Sequence, residues 1–368
     1  MKKYTIEWSI FDNSDIVSIL NSSNPEILRS VEMLSQSNQL LCFDSLDNFD
    51  GYHNGNLISR PKGSNRAFYI RNNKTEEVIA VKGTEAVSSE LKEAMELDRL
   101  NRLPNRPWTK LENFIYREQK APLAMLFNEA RDEAEIGITY QARIFKDFGF
   151  FEEAPLPLLV FKWSSEVTLS YINTISTYLD RRAKDLLIPL IETYGLGGIV
   201  YHYQYLPTRI RFANDMISKS KDQLSAIDNL IGIVTRMLLV DLLPFDFEDH
   251  GIGQCVAPQN VTMRGGICDL GSIKKINGIT TDRTYIILQA LGTILTRTAT
   301  EILGESISDT VYEFDNPTTL QHFLSAVVHN KLATSLHKES KTSSKKLSDN
   351  LREYYSLENN LTSILGLK

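Results

Sequence analysis

The spacing of apolar residues changes along this chain, and that change constrains the fold more than any other feature. Two short runs at 67–72 (AFYIRN) and 77–83 (EVIAVKG) are rich in β-branched and aromatic residues, which favour strands. Beyond residue 165, apolar residues recur mostly at three- and four-residue intervals, as in amphipathic helices. The sequence therefore predicts an α+β protein with a β-rich portion followed by a mainly helical one.

Local signals place several elements within these portions. The stretch 72–75 (NNKT) consists of turn-forming residues, so the two β-rich runs predict a hairpin. A helix is expected over 90–100, because strong helix formers follow two serines and Pro104 comes after them. The run LPLLVFKW at 156–163 predicts a further strand. Helices are expected near three later segments: 169–194, 222–243 and 283–304.

Composition limits the classes of partner. Lys and Arg total 40 against 46 Asp and Glu, a formal charge of −6, so no basic surface for nucleic acid is expected. Three cysteines are too few for a disulfide framework or a four-ligand zinc site. The best apolar run, 231–245, contains Arg236 and Asp241, and the first residues lack the apolar core of a signal peptide. We therefore expect a cytoplasmic protein with no membrane partner.

Three residues stand where strands are expected to begin or end. Lys82 ends the strand VIAVK, Asn260 lies at the start of the short strand NVTM, and Asp269 lies near the end of the short strand GICDL. A lysine can hold the α- and β-phosphates of a nucleotide, and amide and carboxylate oxygens are the ligands that Mg²⁺ prefers. These three residues are therefore of the types that could hold the phosphates and the metal of ATP with Mg²⁺.

The three motifs resemble those of protein kinases. V-I-A-V-K looks like the kinase V-A-I-K, D-L-G at 269–271 looks like D-F-G, and P-Q-N-V resembles the end of the catalytic loop. The resemblance spans about residues 60–305. It implies a two-lobed kinase-like fold, in which Lys82 contacts phosphates and Asn260 and Asp269 hold the metal.

The phosphate loop and the helix acid depart from the kinase pattern. Kinases carry G-x-G-x-x-G, whereas this chain offers only PKGSNR, in which Gly63, Ser64 and Arg66 are the candidate phosphate contacts. The resemblance also implies a glutamate on the following helix that orients Lys82. Glu96 is our candidate for that acid, with Glu93 and Asp98 as competitors.

The catalytic base also departs from the family. The kinase motif H-R-D-x-x-x-x-N places an aspartate five positions before the asparagine, where this chain has Cys255. Asp249 or His250 is our candidate for handling the proton of the acceptor. His250-Gly251, Asn260 and D-L-G together are similar to the selenoprotein-O-like pseudokinases, and that similarity implies transfer of AMP to protein hydroxyls.

The sequence thus predicts a two-lobed, kinase-like α+β protein. Four segments are expected: an N-terminal extension (1–50), a β-rich small lobe (51–164), a mainly helical large lobe (165–335), and a polar linker with a terminal helix (336–368). The expected activity is ATP- and Mg²⁺-dependent transfer of an adenylyl or phosphoryl group to a protein or small-molecule acceptor. Two alternatives stay open: an inactive pseudokinase scaffold, and a synthetase that adenylates a carboxylate.

Overall fold

A computed structural model describes the chain in separate ranges. The described residues are 4–36, 51–53, 56–59, 67–72, 77–83, 112, 115–116, 119–207, 221–244, 254–258, 260–271, 273–275, 281–303, and 327–338 except 329, 333 and 337. The chain divides into two compact units. The first comprises Met1–Ile138 and Leu156–Leu206, and the second comprises Thr139–Pro155 and Pro207–Lys368.

The first unit is built on a seven-stranded antiparallel sheet. Its strands are β1 (Tyr4–Ser9), β2 (Gly51–His53), β3 (Asn56–Ser59), β4 (Ala67–Asn72), β5 (Val78–Lys82), β6 (Leu156–Trp163) and β7 (Gly197–Tyr203). Their order across the sheet is β1-β6-β7-β5-β4-β3-β2. Every residue of β7 is buried, and the strand lies between β6 and β5 inside the sheet.

The predicted hairpin and the predicted strand at 156–163 are confirmed. β4 and β5 pair with Ala67 opposite Lys82 and Arg71 opposite Val78, and β6 covers the predicted residues. Two strands of this sheet carry residues from outside the 51–164 segment. β1 comes from the first fifty residues, and β7 comes from the portion predicted to be mainly helical.

In the part of the first unit that the structure describes, five α-helices begin. They are α1 (Ser14–Ser23), α2 (Pro25–Gln36), α3 (Phe127–Phe148), α4 (Ser165–Ser176) and α5 (Arg181–Tyr194). The segment near 169–194, predicted to be helical, forms parts of two helices rather than one, and its last fourteen residues are α5. Asp180 starts the second of them, because its side chain accepts a 2.7 Å hydrogen bond from the Ala183 amide.

The second unit contains the two later helices that the sequence predicts. They are α6 (Lys221–Leu239) and α7 (Thr281–Ile302). α6 ends before residue 243, and Leu242–Leu243 instead form the short strand β8, which pairs with β9 (Lys274–Lys275). α7 is joined to the 3₁₀ turn at Gln254–Val256 by a 2.7 Å hydrogen bond from Thr298 Oγ1 to the Val256 carbonyl.

The α+β class is therefore confirmed. The helix predicted over 90–100 and the terminal helix lie outside the described residues, as does nearly all of the polar linker. In the ranges that the structure describes, none of the helices combines the length and the apolar character needed to cross a membrane.

Candidate functional site

Lys82 is the last residue of β5. Its backbone lies between Ala67 of β4 and Ile199 of β7. The side chain is 17% exposed, so most of its surface is removed from water. A largely buried ammonium is unfavourable unless polar or charged groups surround it, and the partner of this lysine therefore decides what it can do.

That partner is Glu133 of α3, 51 positions later in the chain. Lys82 Nζ lies 2.8 Å from Oε1 and 2.9 Å from Oε2 of this carboxylate. The Glu133 side chain is only 4% exposed. Charge-assisted hydrogen bonds are stronger than neutral ones, so this pair fixes the ammonium against α3.

The sequence of α3 explains why Glu133 is buried. Ala130, Ala134 and Ile138 are buried at four-residue spacing, which defines the inward face of the helix. Glu133 lies on this face, whereas Glu135 is exposed. An acid on the buried face of a helix needs an opposite charge. This position within the apolar pattern is the signal by which sequence reasoning could have found Glu133, which it missed.

Backbone contacts fix where α3 begins. The Phe127 amide donates a 3.1 Å hydrogen bond to the Gly195 carbonyl, and Leu126 forms an antiparallel bridge with Leu196. The Glu129 side chain accepts a 3.0 Å hydrogen bond from the Leu126 amide. The start of α3 is thus tied to the residues before β7, the strand that neighbours β5. This arrangement brings Glu133 within reach of the end of β5.

Gly83 lets the backbone turn directly after Lys82. Its φ of +81° is in the left-handed region, and an added Cβ would lie 2.5 Å from the Gly197 carbonyl oxygen. The Gly83 carbonyl accepts a 3.0 Å hydrogen bond from Trp163 Nε1. Glycine is therefore required here both by conformation and by the close approach of β7.

Several predicted site residues lie outside the described residues. They are the phosphate-loop candidates Gly63, Ser64 and Arg66, the helix acid Glu96, and the proton-handling candidates Asp249 and His250. Their roles stay predictions. For Lys82, the acid that the described part of the chain supplies is Glu133.

Asn260 begins the first arm of a short hairpin in the second unit, and Asp269 lies at the end of its second arm. The strands predicted at NVTM and GICDL are reduced to one bridge, between Val261 and Ile267. Next to this bridge, the Cys268 amide donates a 2.8 Å hydrogen bond to the Asn260 carbonyl. The backbone of Asn260 is therefore held opposite the residue that precedes Asp269, which brings the two predicted ligands to the same end of the hairpin.

The turn of this hairpin is tightly organised. Thr262 Oγ1 accepts a 2.9 Å hydrogen bond from the Gly266 amide, and the Thr262 amide donates a 2.8 Å hydrogen bond to the Gly266 carbonyl. Gly265 has a φ of +81°, and an added Cβ would lie 1.9 Å from the Ala226 carbonyl oxygen of α6. Glycine is the residue that this contact with α6 allows.

The side chains at the end of the hairpin are oxygen donors. Asn260 is buried, and Asp269 is partly exposed. Asp269 Oδ1 accepts a 3.1 Å hydrogen bond from the Gly271 amide, which orients the carboxylate. Within the described ranges, no group of three or more His, Cys, Asp and Glu side chains could hold a metal ion. A pair of oxygen donors suits Mg²⁺ shared with phosphates and water, because this ion keeps several such ligands.

One carboxylate beside the hairpin has a shifted pKa. Burial raises the pKa of Glu153 above its ordinary value, and the nearby Arg264 guanidinium and Asn229 amide partly oppose that rise. A raised pKa means that the ionised form of Glu153 is kept in the folded protein at a free-energy cost.

The described candidate residues lie in two places: Lys82 is paired with Glu133 in the first unit, and Asn260 and Asp269 begin and end the hairpin in the second. Comparison with known proteins adds no family: no protein-family model, no curated protein and no solved structure matches the chain.

Proposed function

We propose that the protein is an ATP- and Mg²⁺-dependent transferase with a two-lobed, kinase-like organisation. It would move an adenylyl or phosphoryl group to a protein or small-molecule acceptor. The observation that carries this proposal is the buried ion pair between Lys82 at the end of a strand and Glu133 in a long helix. In protein kinases, a strand lysine paired with a helix glutamate must be in place for phosphoryl transfer.

A role in stability alone explains this pair poorly. Removing two charges from water is costly, and buried ion pairs can often be replaced by apolar residues without loss of stability. A sheet and helix that only needed to pack would be served by an apolar contact at this position. Ionisable groups that are kept buried in a specific pair are candidates for a functional site, and this supports a role for Lys82 in binding an anionic ligand.

Each described pair has a distinct part in this proposal. Lys82 would contact phosphate oxygens, and Glu133 would keep its ammonium oriented. Asn260 and Asp269 would hold Mg²⁺, which neutralises charge on the phosphates when bound. Asp249 or His250 would handle the proton of the acceptor, as the sequence predicts.

The test uses ATP labelled on either the α- or the γ-phosphate, incubated with Mg²⁺ and the purified full chain. Label that reaches protein from the α-phosphate alone indicates adenylyl transfer, and label from the γ-phosphate alone indicates phosphoryl transfer. Lys82→Met, Glu133→Gln and Asp269→Ala should each lower the transfer by about 100-fold or more, as removing one catalytic electrostatic contact does.

Matched variants separate function from folding. Glu135→Gln changes an exposed acid of the same helix, and Lys146→Met changes an exposed lysine of that helix. Both should keep the transfer rate of the unmodified protein. The proposal is wrong if no label is transferred and ATP with Mg²⁺ does not shift the melting temperature. A shift without label favours the scaffold, and release of pyrophosphate that depends on a small carboxylic acid favours the synthetase.

A further inference from the structure

Glu153 contacts the turn of the Asn260–Asp269 hairpin through both its backbone and its side chain. Its carbonyl accepts a 3.0 Å hydrogen bond from the Ile267 amide. Its Oε1 lies 3.8 Å from Arg264 Nε. Gly266 packs so closely that an added Cβ would lie 2.8 Å from Glu153 Cγ and from its carbonyl oxygen. The turn therefore lies directly against Glu153.

Asn229 of α6 contacts both Glu153 and the turn. Its Nδ2 lies 3.1 Å from Glu153 Oε2 and 3.0 Å from the Arg264 carbonyl, so one amide group contacts both the carboxylate and the turn. A two-stranded hairpin is marginally stable alone, and this one has a single bridge between its arms. Its conformation therefore depends on contacts from outside, and the contacts with Glu153 and Asn229 are made at the turn.

We propose that Glu153 is a positioning residue for the metal pair: together with Asn229 it holds the turn, and the turn sets where the Asn260 and Asp269 oxygens lie. This inference rests on the proposed function, because it concerns the residues assigned there to Mg²⁺. The turn transmits its position through the Val261–Ile267 bridge and the Cys268–Asn260 hydrogen bond. Glu153 itself touches neither ligand in this role.

The chemistry of Glu153 fits positioning better than packing. Its side chain is 21% exposed, and a carboxylate at this depth is costly unless its hydrogen bonds are needed. A hydrogen bond from Asn229 fixes both the orientation of the Glu153 carboxylate and its distance from α6, whereas an apolar contact fixes no orientation. Removing a residue that orients metal ligands without contacting the metal typically weakens metal binding by about 10- to 100-fold.

The experiment measures metal affinity rather than activity. The full chain is titrated with Mn²⁺ at a fixed concentration of a non-hydrolysable ATP analogue, and free Mn²⁺ is followed by electron paramagnetic resonance. Glu153→Ala should weaken Mn²⁺ binding by about 10- to 100-fold. Glu153→Gln should stay within about threefold of the unmodified protein, because its amide oxygen can still accept from Asn229.

Three further variants make the result decisive. Asn229→Ala should weaken Mn²⁺ binding as much as Glu153→Ala does. The double variant should bind Mn²⁺ as tightly as either single variant, because each single change already removes the hydrogen bond between Asn229 and Glu153. Asp228→Ala is the control, because Asp228 is an exposed neighbour on α6 that pairs with Lys331 at the surface. The Asp228→Ala variant should bind Mn²⁺ as tightly as the unmodified protein.

The outcomes separate the two proposals. If the unmodified protein binds Mn²⁺ and Asp269→Ala weakens that binding, the metal pair of the proposed function stands. The positioning role is then overturned if Glu153→Ala binds Mn²⁺ as tightly as the unmodified protein, or if Glu153→Gln fails to restore affinity. If the unmodified protein and Asp269→Ala both fail to bind Mn²⁺, the metal pair itself is wrong and the positioning role falls with it.

Discussion

Arg236 of α6 binds Glu152 with two parallel hydrogen bonds, although 84 positions separate these residues in the sequence. Arg236 Nε lies 2.6 Å from Oε2 and its second guanidinium nitrogen lies 2.9 Å from Oε1. The Glu152 side chain is 3% exposed and that of Arg236 is 13% exposed. The Gln141 side chain also accepts a 2.9 Å hydrogen bond from the Glu152 amide. These contacts hold the segment that leads to Glu153.

Replacing Arg236 with methionine should strongly destabilise the protein. The change leaves Glu152 buried without its counter-charge, and such a loss typically costs about 3–5 kcal/mol. The guanidinium also lies over the Phe150 ring at 5.3 Å, so Phe150→Leu separates that smaller contribution. The free energy of unfolding is measured by urea titration. A second change, Glu152→Gln, should recover part of the loss in the double variant. A cost below about 1 kcal/mol for Arg236→Met would contradict the buried-pair account.

Alanine at Gly83 should cost far more stability than alanine at Gly149. Both glycines have a φ of +81°, so each change carries a similar conformational cost of about 1–2 kcal/mol. Around Gly149 no atom lies within 4 Å of an added Cβ, whereas at Gly83 the Gly197 carbonyl oxygen lies at 2.5 Å. Overpacking should add a further cost of about 1–3 kcal/mol at Gly83 alone. Thermal unfolding of the two variants provides the comparison, and equal melting temperatures would refute it.

The Glu153 carboxyl should make stability depend on pH. Its folded-state pKa is raised, mainly by burial, so folding favours the protonated form. The resulting contribution to stability is fully present below the unfolded pKa of about 4.3 and is lost as the pH rises through the folded pKa. Glutamine resembles the protonated acid and does not titrate. The free energy of unfolding of the unmodified protein should therefore fall relative to Glu153→Gln as the pH increases.

Urea titrations at a series of pH values above 4 measure this difference. Glu135→Gln is the control, because Glu135 is exposed. Its difference from the unmodified protein should be flat over the same range. A Glu153→Gln difference that is flat, or that rises with pH, would show that burial does not dominate at this carboxyl.

The sequence correctly predicted those elements whose strand-forming and turn-forming residues are adjacent in the chain. The hairpin of β4 and β5 and the strand β6 follow from β-favouring runs with a turn between them, and the structure confirms both. β7 was missed although Gly195 precedes it and Pro207 follows it, because helical spacing on both sides was extended across the whole portion. The break between α4 and α5 has a local signal, Asp180 as a helix cap, which the apolar spacing concealed.

The candidate site shows why long-range pairs are harder to predict. Lys82 was identified from its strand, but its partner Glu133 lies 51 positions away on a helix that the sequence analysis did not recognise. The kinase pattern directed attention to Glu96, a nearer acid. Only the sheet pairing of β5 with β7, and the ties from the residues before β7 to the start of α3, determine which acid reaches Lys82. The apolar pattern of α3 marks Glu133 as a buried acid, but it does not show that Lys82 is its partner.

The division of the chain has a consequence for dissecting the protein. Residues 139–155 belong to the second unit although residues of the first flank them on both sides. A fragment that begins at residue 207 would therefore lack Glu152 and Glu153, and Arg236 and Asn229 would lose the carboxylates that they contact. No single cut yields the second unit intact. A fragment that begins at residue 207 should therefore be unfolded or insoluble. Adding a synthetic peptide of residues 139–155 should restore its structure, because the peptide supplies the missing part of the unit.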